Sequence, residues 1–207
     1  MLNHPFIQEL KAQLSGPLPG VDAQFEMAHV NREKIGYDTL INHHYKSSAV
    51  LLLIIKRDDG FFIPLTQRHT YIGAHSGQIS FPGGKKDDND ADLEQTALRE
   101  CYEEIGLKSD IQIVGTLTPV YIPVSKFVVS PFVGIFTGED PEFNIDPTEV
   151  KQLVELNIND LKDPRLVKET YVETTPGHKI KTPYFDVRGH IVWGATAMIL
   201  NEFKKLL

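Results

Sequence analysis

The longest unbroken apolar stretch of the chain, Ala49–Ile55 (AVLLLII), lies within Ser47–Arg57. A strand with one wet face alternates apolar and polar positions, so a continuous run predicts a strand covered on both faces. Asp58-Asp59-Gly60 supplies a hairpin turn, and Phe61–Arg68 continues as a second strand. Gln78–Phe81 reads as a short strand leading into Pro82-Gly83-Gly84. Helical spacing appears three times. Pro5–Leu14 places Phe6, Leu10 and Leu14 on one face before Gly16–Gly20 breaks the pattern. Asp92–Ile105 stops at Gly106, and Trp193–Leu206 carries Ala197, Leu200, Phe203 and Leu206. Ile111–Leu117, Lys126–Phe136 (interrupted by Pro131) and Val150–Leu156 read as further strands, and Ile158–Leu161 as a short helix. Val167–Thr174 and Ile180–Val187 form a hairpin, whereas Ala23–Ile41 fits neither period. Interleaved strands and helices with several hairpins predict an α/β domain with a mixed sheet.

Bulk properties narrow the classes. The 207 residues suit one domain with an extension: residues 1–45 as a helical extension packed on a main domain of residues 46–207. A hydrophobic content of 41% is ordinary for a chain that buries a full core. The net charge of −7 argues against nucleic-acid and anionic-membrane partners. A protein of this charge that handles phosphates needs local positive charge or a bound metal. The single cysteine, Cys101, excludes an internal disulfide framework and fits a reducing compartment; on its helix it reads as a packed thiol, not a nucleophile. MLNHPFIQELKAQL is amphipathic without the apolar core of a signal peptide, and Ala49–Ile55 is too short to span a bilayer. The FKKLL terminus is not a peroxisomal address, which leaves a cytoplasmic location as the expectation.

One segment carries chemistry. Phe81–Leu107 runs through Pro-Gly-Gly and an acidic loop into a helix bearing Arg99, Glu100, Glu103 and Glu104. Residues three and four apart share a helix face, so the three glutamates form one cluster whose members repel by a few tenths of a kcal/mol per exposed pair. A hard divalent cation rewards that arrangement, because Mg²⁺ takes carboxylate oxygens, keeps waters and shares a substrate phosphate. Gly83 and Gly84 let the backbone bend and approach the helix closely.

Gly84, Arg99-Glu100-Cys101, Glu103-Glu104 and Gly106-Leu107 resemble the Nudix box of the Nudix hydrolases. The Gly84-to-Arg99 spacing is one residue longer than the family pattern, so the early glutamate falls at Asp90 counted forward or at Ala91 counted back; Asp87, Asp88 and Glu94 lie nearby. The resemblance implies an α/β/α sandwich with a mixed β-sheet. It also implies Mg²⁺ or Mn²⁺ held by Glu100, Glu104 and Glu103, with Arg99 orienting the box. Glu103 or Glu149 stands as the candidate base, and Arg68, Gly83, Gly84 and Lys85 as substrate contacts.

Further segments resemble the coenzyme A pyrophosphatase branch: Leu65–Arg68 with Gly77–Gly84, the longer box, Leu117–Pro123 with Ser125, Val129–Val133 and Val192–Thr196. His69 and Gly73 depart from the branch, which has a small residue and a second arginine there. His69, His75, Arg68, Lys85 and Lys86 are candidates to replace that arginine, while tandem His43-His44 is a poor chelate and Trp193 and Phe127 are expected in the core. The resemblance therefore implies a metal-dependent pyrophosphohydrolase that cleaves coenzyme A or acyl-coenzyme A to 3′,5′-ADP and (acyl-)4′-phosphopantetheine. Another nucleoside diphosphate derivative, such as ADP-ribose or a dinucleotide, is the alternative substrate. A catalytically silent ligand sensor is a third reading, opposed by the intact carboxylate cluster. The expected partner is a small-molecule nucleotide, with a homodimer left open.

Overall fold

The computed structural model describes residues 1–34, 45–69, 77–175 and 177–207. Strand β1 (Lys46–Arg57) is the axis of the fold, and both of its faces are dry. Ala49, Leu51, Leu53 and Ile55 enter the cluster beneath helix α3 (Leu93–Ile105), while Leu52 and Ile54 enter the cluster beneath helix α5 (Gly194–Lys204). That alternation is the period of a strand with every position apolar.

β1 runs parallel to β7 (Phe127–Phe136) and antiparallel to β2 (Gly60–Arg68) and β4 (Gly83–Lys85) along different parts of its length. β3 (Ile79–Ser80) and β8 (Val150–Asn157) pair with β2, and β5 (Ile111–Thr116) and β6 (Val120–Ile122) with β7. The result is a mixed eight-stranded sheet with helices on both faces. A second antiparallel sheet, β9 (Val167–Thr175), β10 (His178–Val187) and β11 (His190–Val192), delivers Phe185, Val187 and Val192 into the core beneath α5.

Several elements differ from the sequence expectation. β4, β6 and β11 are too short to show a period, and β4 is held by its backbone pairing with β1. Pro131 does not interrupt β7. Its carbonyl accepts from Leu117 N–H at 3.0 Å, so its nitrogen faces the same edge, where β5 has ended and β6 has not begun. On helix α1 (Pro5–Leu14) the buried face is Ile7, Leu10 and Leu14, while Phe6 lies against the Phe61 ring with centroids 4.6 Å apart. The ambiguous Ala23–Ile41 stretch contributes the end of a short helix, α2 (Gly20–Phe25), and turns to residue 34; residues 35–41 lie outside the described residues. No described helix is long and apolar enough to cross a membrane.

A polar junction joins α2 to the main core. Glu202, fully buried on α5, accepts from Gln24 Nε2 at 2.7 Å, Gly20 N–H at 3.2 Å, Thr118 Oγ1 at 2.7 Å and Thr118 N–H at 3.2 Å. The neighbouring Asn201 donates to the Ala23 carbonyl at 2.6 Å. A buried carboxylate is tolerated where hydrogen bonds replace its water, and bonds to a charged acceptor are the strong ones. Glu202→Ala orphans those donors in the interior and should cost about 3 kcal/mol or more. Urea unfolding reads that loss as a lowered midpoint at unchanged slope; a loss below about 1 kcal/mol contradicts the role given to the junction.

Candidate active site

The site begins with a close approach of two backbones and a helix. β4 lies against the amino-terminal half of β1 in the register Ser48–Lys85, Ala49–Gly84 and Val50–Gly83. A Cβ on Gly83 would overlap the Ala49 carbonyl and Val50, and a Cβ on Gly84 would overlap the Glu100 carboxylate. Glycine at both positions is what lets α3 settle so near the strand. The helix has its own signals: Asp92 caps it by accepting from Gln95 N–H at 2.8 Å, and Gly106 closes it in the left-handed conformation at φ 81°. Ala97, Cys101 and Ile105 face the sheet. Burial pushes the Cys101 thiol up to about 12, so it stays protonated and apolar.

Arg99 organises the acidic residues around it. Nε and Nη2 bond the two oxygens of Asp90 at 2.9 and 3.0 Å. Nη1 reaches Glu100 and Glu103, both at 2.8 Å, and Nη2 also donates to the Lys85 carbonyl at 3.1 Å. A guanidinium has five N–H donors, and these five bonds engage all of them. Arg99 therefore has no donor left for a ligand. Asp90 is buried and also accepts from Thr96 Oγ1 and from its own loop at Asp87 N–H, both at 2.9 Å. Its carboxyl is held far below the usual range, first by the Arg99 bonds. Of the two positions counted for the early glutamate, Ala91 is exposed and carries no acid, whereas Asp90 is buried against Arg99. Its role could have been found from the forward count from Gly84, which lands on it.

Glu104 and Glu100 point to the sheet side of the helix. Glu104 is 2% exposed, 3.6 Å from Arg68 Nη1, and accepts from Thr66 Oγ1 at 3.4 Å. Burial pushes its carboxyl up to about 7, with Glu100 and Glu149 adding repulsion and Arg68 and the Gly83 N–H opposing. Glu100 is also raised by burial, against the pull of Arg99 and with Glu103 and Glu149 adding to the rise. Glu149 reaches the centre because β2 and β8 place Arg68 opposite Val150, the next residue. Five carboxylates (Asp90, Glu100, Glu103, Glu104 and Glu149) thus surround two guanidiniums, Arg68 and Arg99.

That excess of negative charge, with two desolvated carboxylates, fits a hard divalent cation, and Glu100 and Glu104 are the side chains available to hold one. Among the described residues no three Asp, Glu, His or Cys side chains form a ready cage. An ion that keeps waters and shares substrate oxygens does not need one. Glu103 is half-exposed and shares Arg99 Nη1 with Glu100, each at 2.8 Å, so the third glutamate of the helix lies on the solvent side of that pair.

A cleft of about 740 Å³ opens beside the carboxylates. Arg68, Gly83, Gly84 and Lys85 line one part of it, and Phe81, Ile122, Ile180 and Ile199 make other parts apolar. Phe127 and Trp193, expected in the core, line this cleft while half-buried. His69 is drawn away: its Nε2 donates to the Pro147 carbonyl at 2.9 Å. Gly73, His75 and the His43-His44 pair lie outside the described residues.

Residues 45–175 match the model of the NUDIX domain. The chain belongs to the Nudix hydrolases. It is 33% identical over 140 residues to the uncharacterized Nudix hydrolase NudL of Enterobacter sp. (strain 638) and to that of Escherichia coli, covering 67% of this chain and 71% of each relative. Its fold is similar to that of the Nudix hydrolase RenU from M. smegmatis, with a TM-score of 0.52 at 14% identity over 78% of this chain and 84% of that one. A MutT/nudix protein from Enterococcus faecalis superposes with a TM-score of 0.52 at 14% identity, over 98% of this chain and 73% of that one. Nudix hydrolases cleave phosphoric anhydrides in small-molecule nucleoside diphosphate derivatives and generally use divalent metals.

The raised Glu104 carboxyl has a measurable sign. In the metal-free chain the folded state keeps this proton to about pH 7, whereas an unfolded glutamic acid releases it near 4.5. Across that window the unfolded state binds fewer protons, so stability falls as pH rises. Glu104→Gln cannot ionise and should gain on the parent by on the order of 1–3 kcal/mol between those limits. Melting in chelator at pH 5 and pH 8 measures the gain; an equal difference at both pH values removes burial as its source.

Proposed function

We propose that this Nudix hydrolase is a Mg²⁺- or Mn²⁺-dependent pyrophosphohydrolase of coenzyme A or acyl-coenzyme A, releasing 3′,5′-ADP and (acyl-)4′-phosphopantetheine. The observation that carries the reading is the cleft. Its 740 Å³ begins at Arg68, Gly83, Gly84 and Lys85, beside the carboxylates, and continues between apolar walls. A long substrate with a diphosphate at its centre and a largely apolar arm suits such a shape, since pockets of this size enclose most of a ligand's surface.

In this reading Glu100 and Glu104 hold the divalent ion. When bound, the ion polarises a phosphoryl oxygen and lowers the pKa of a bound water. Arg68 and Lys85 steady the diphosphate oxygens with positive charge. Arg99, its donors all engaged, serves as a positioning residue that holds Glu100 and the Lys85 backbone in place. Water attacks one phosphorus, an oxygen–phosphorus bond forms, the bridging P–O bond breaks, and a carboxylate takes the proton. Glu149 suits that task better than Glu103, because Glu103 is committed to Arg99 while Glu149 is exposed near Glu100 and Glu104. A base must be free to accept a proton, and general-base catalysis is worth about 10²–10⁴ in rate.

The purified chain should convert coenzyme A to 4′-phosphopantetheine with Mg²⁺ or Mn²⁺ and stop when the ion is chelated, as followed by chromatography. Faster turnover of ADP-ribose or a dinucleotide overturns the substrate while leaving the chemistry in place. Glu104→Gln should lower kcat by orders of magnitude with its fold retained, and Glu149→Gln by about 10²-fold or more. Glu103→Gln should fall by less than Glu149→Gln. The reverse order of those last two variants exchanges the base assignment.

A further inference from the structure

The cleft has a second polar part, built by the segment before the matched domain. His29, Asn31 and Arg32 line it, and all three precede the stretch 45–175 that matches the NUDIX domain. Among the described residues Arg32 makes one hydrogen bond, from Nη2 to the Tyr121 carbonyl at 2.6 Å. Burial pulls its pKa down, with no charged partner opposing. Nearby charges are engaged elsewhere: Asp22 pairs with Lys34, and Glu26 with Lys205. The adjacent Glu33 is exposed, and among the described residues neither it nor Arg32 takes part in an ion pair.

A guanidinium withdrawn from water without a counter-charge is costly. Among the described residues the Tyr121 carbonyl takes one of its five donors, and the half-buried side chain lines the cleft with donors to spare. Ser125 makes the same point independently. It follows Tyr121 on the connection between β6 and β7, lines the same cleft, and buries its Oγ with no hydrogen-bond partner among the described residues. Buried polar atoms are almost always satisfied, so the Ser125 hydroxyl, in the same cleft as a guanidinium with donors to spare, calls for a ligand atom.

We propose that Arg32 and Ser125 form an anion subsite that holds a phosphomonoester of the substrate, separate from the diphosphate that is cleaved. The missing partners are acceptors, and a phosphate supplies three acceptor oxygens together with the counter-charge. Arginine suits this better than lysine, because its planar fork engages two phosphate oxygens at once. Such a subsite makes the enzyme selective for nucleoside diphosphate derivatives whose ribose carries a further phosphate, and coenzyme A is one. The inference rests on the proposed reaction for its setting, but it concerns a different part of the cleft and a different group of the ligand.

Binding of non-hydrolysable mononucleotides separates the two. Calorimetry with Mg²⁺ present compares 3′,5′-ADP and 2′,5′-ADP with 5′-AMP on the full chain. One of the bisphosphates should bind at least about tenfold more tightly than 5′-AMP, as a charge-assisted pair to arginine implies. Arg32→Gln should bring that bisphosphate to within about twofold of 5′-AMP while 5′-AMP itself binds as before, and Arg32→Lys should restore part of the preference. Ser125→Ala, a small deletion, should reduce the preference severalfold and carries the test if Arg32→Gln does not fold. No preference in the parent, a preference unchanged in the variants, or equal weakening of all three nucleotides overturns the subsite. Coenzyme A hydrolysis is assayed alongside. A preference without coenzyme A turnover keeps the subsite and overturns the substrate reading, and turnover without a preference does the reverse.

Discussion

The arrangement depends on one saturated guanidinium. Without Arg99, the carboxylates of Asp90, Glu100 and Glu103 would face one another with no positive charge among them, and such pairs drive helices and loops apart. With it, the acidic loop, the strand end at Lys85 and the carboxyl-terminal half of the site helix are tied to one planar group by five bonds. The fork geometry matters as much as the charge. A lysine in its place offers three donors on a flexible stem and could not span Asp90 in two places while reaching Glu100, Glu103 and a backbone carbonyl. The positive charge that stabilises the folded cluster is consumed internally, so the charge that meets a ligand has to come from elsewhere.

That requirement explains the division of the cleft. Arg68 sits at the end of β2, against Glu104 and within the cleft, and Lys85 projects from β4 while its carbonyl is held by Arg99. The stretch up to Glu33 adds its own polar groups, and its placement depends on Glu202 gripping Gly20, Gln24 and Thr118 in the interior. Packing at the back of α5 and the composition of the cleft wall are thereby coupled. The extension is held by hydrogen bonds to a buried carboxylate as well as by the apolar face of α1.

Much of this was legible in the residues. A continuous run at Ala49–Ile55 is typical of a doubly covered strand, and the reading of Asp92–Ile105 with its stop at Gly106 placed the site helix to within a residue or so. What stayed hidden was long-range and made of backbone. The β4 pairing involves two glycines and one lysine with no period to read, and Pro131 broke a rule that holds only where a strand needs its N–H on both edges. Glu149 could be suspected but not situated, because its approach depends on the register of two strands more than 80 positions apart, Arg68 with Val150. Glu202 and Arg32 gave no signal at all. A single acid inside an apolar helix and a lone arginine in an irregular stretch look alike whether buried or wet.

Asp90 resolves the stretched half of the box. It is one methylene shorter than glutamate and stands in a loop one residue longer than the family pattern. The two changes offset each other. A shorter acid reaches Arg99 only if its backbone comes closer, and the loop achieves this by folding on itself: Asp90 N–H bonds the Asp87 carbonyl at 3.1 Å while Asp87 N–H bonds the Asp90 carboxylate at 2.9 Å. The turn ends just before the helix cap at Asp92. Thr96 then closes the last acceptor site of the carboxylate from the first turn of the helix. The loop in this fold thereby brings the short acid within reach of Arg99. Replacing Asp90 by glutamate adds a methylene to a buried site whose carboxylate already meets Arg99, Thr96 and the Asp87 N–H, and overfills it.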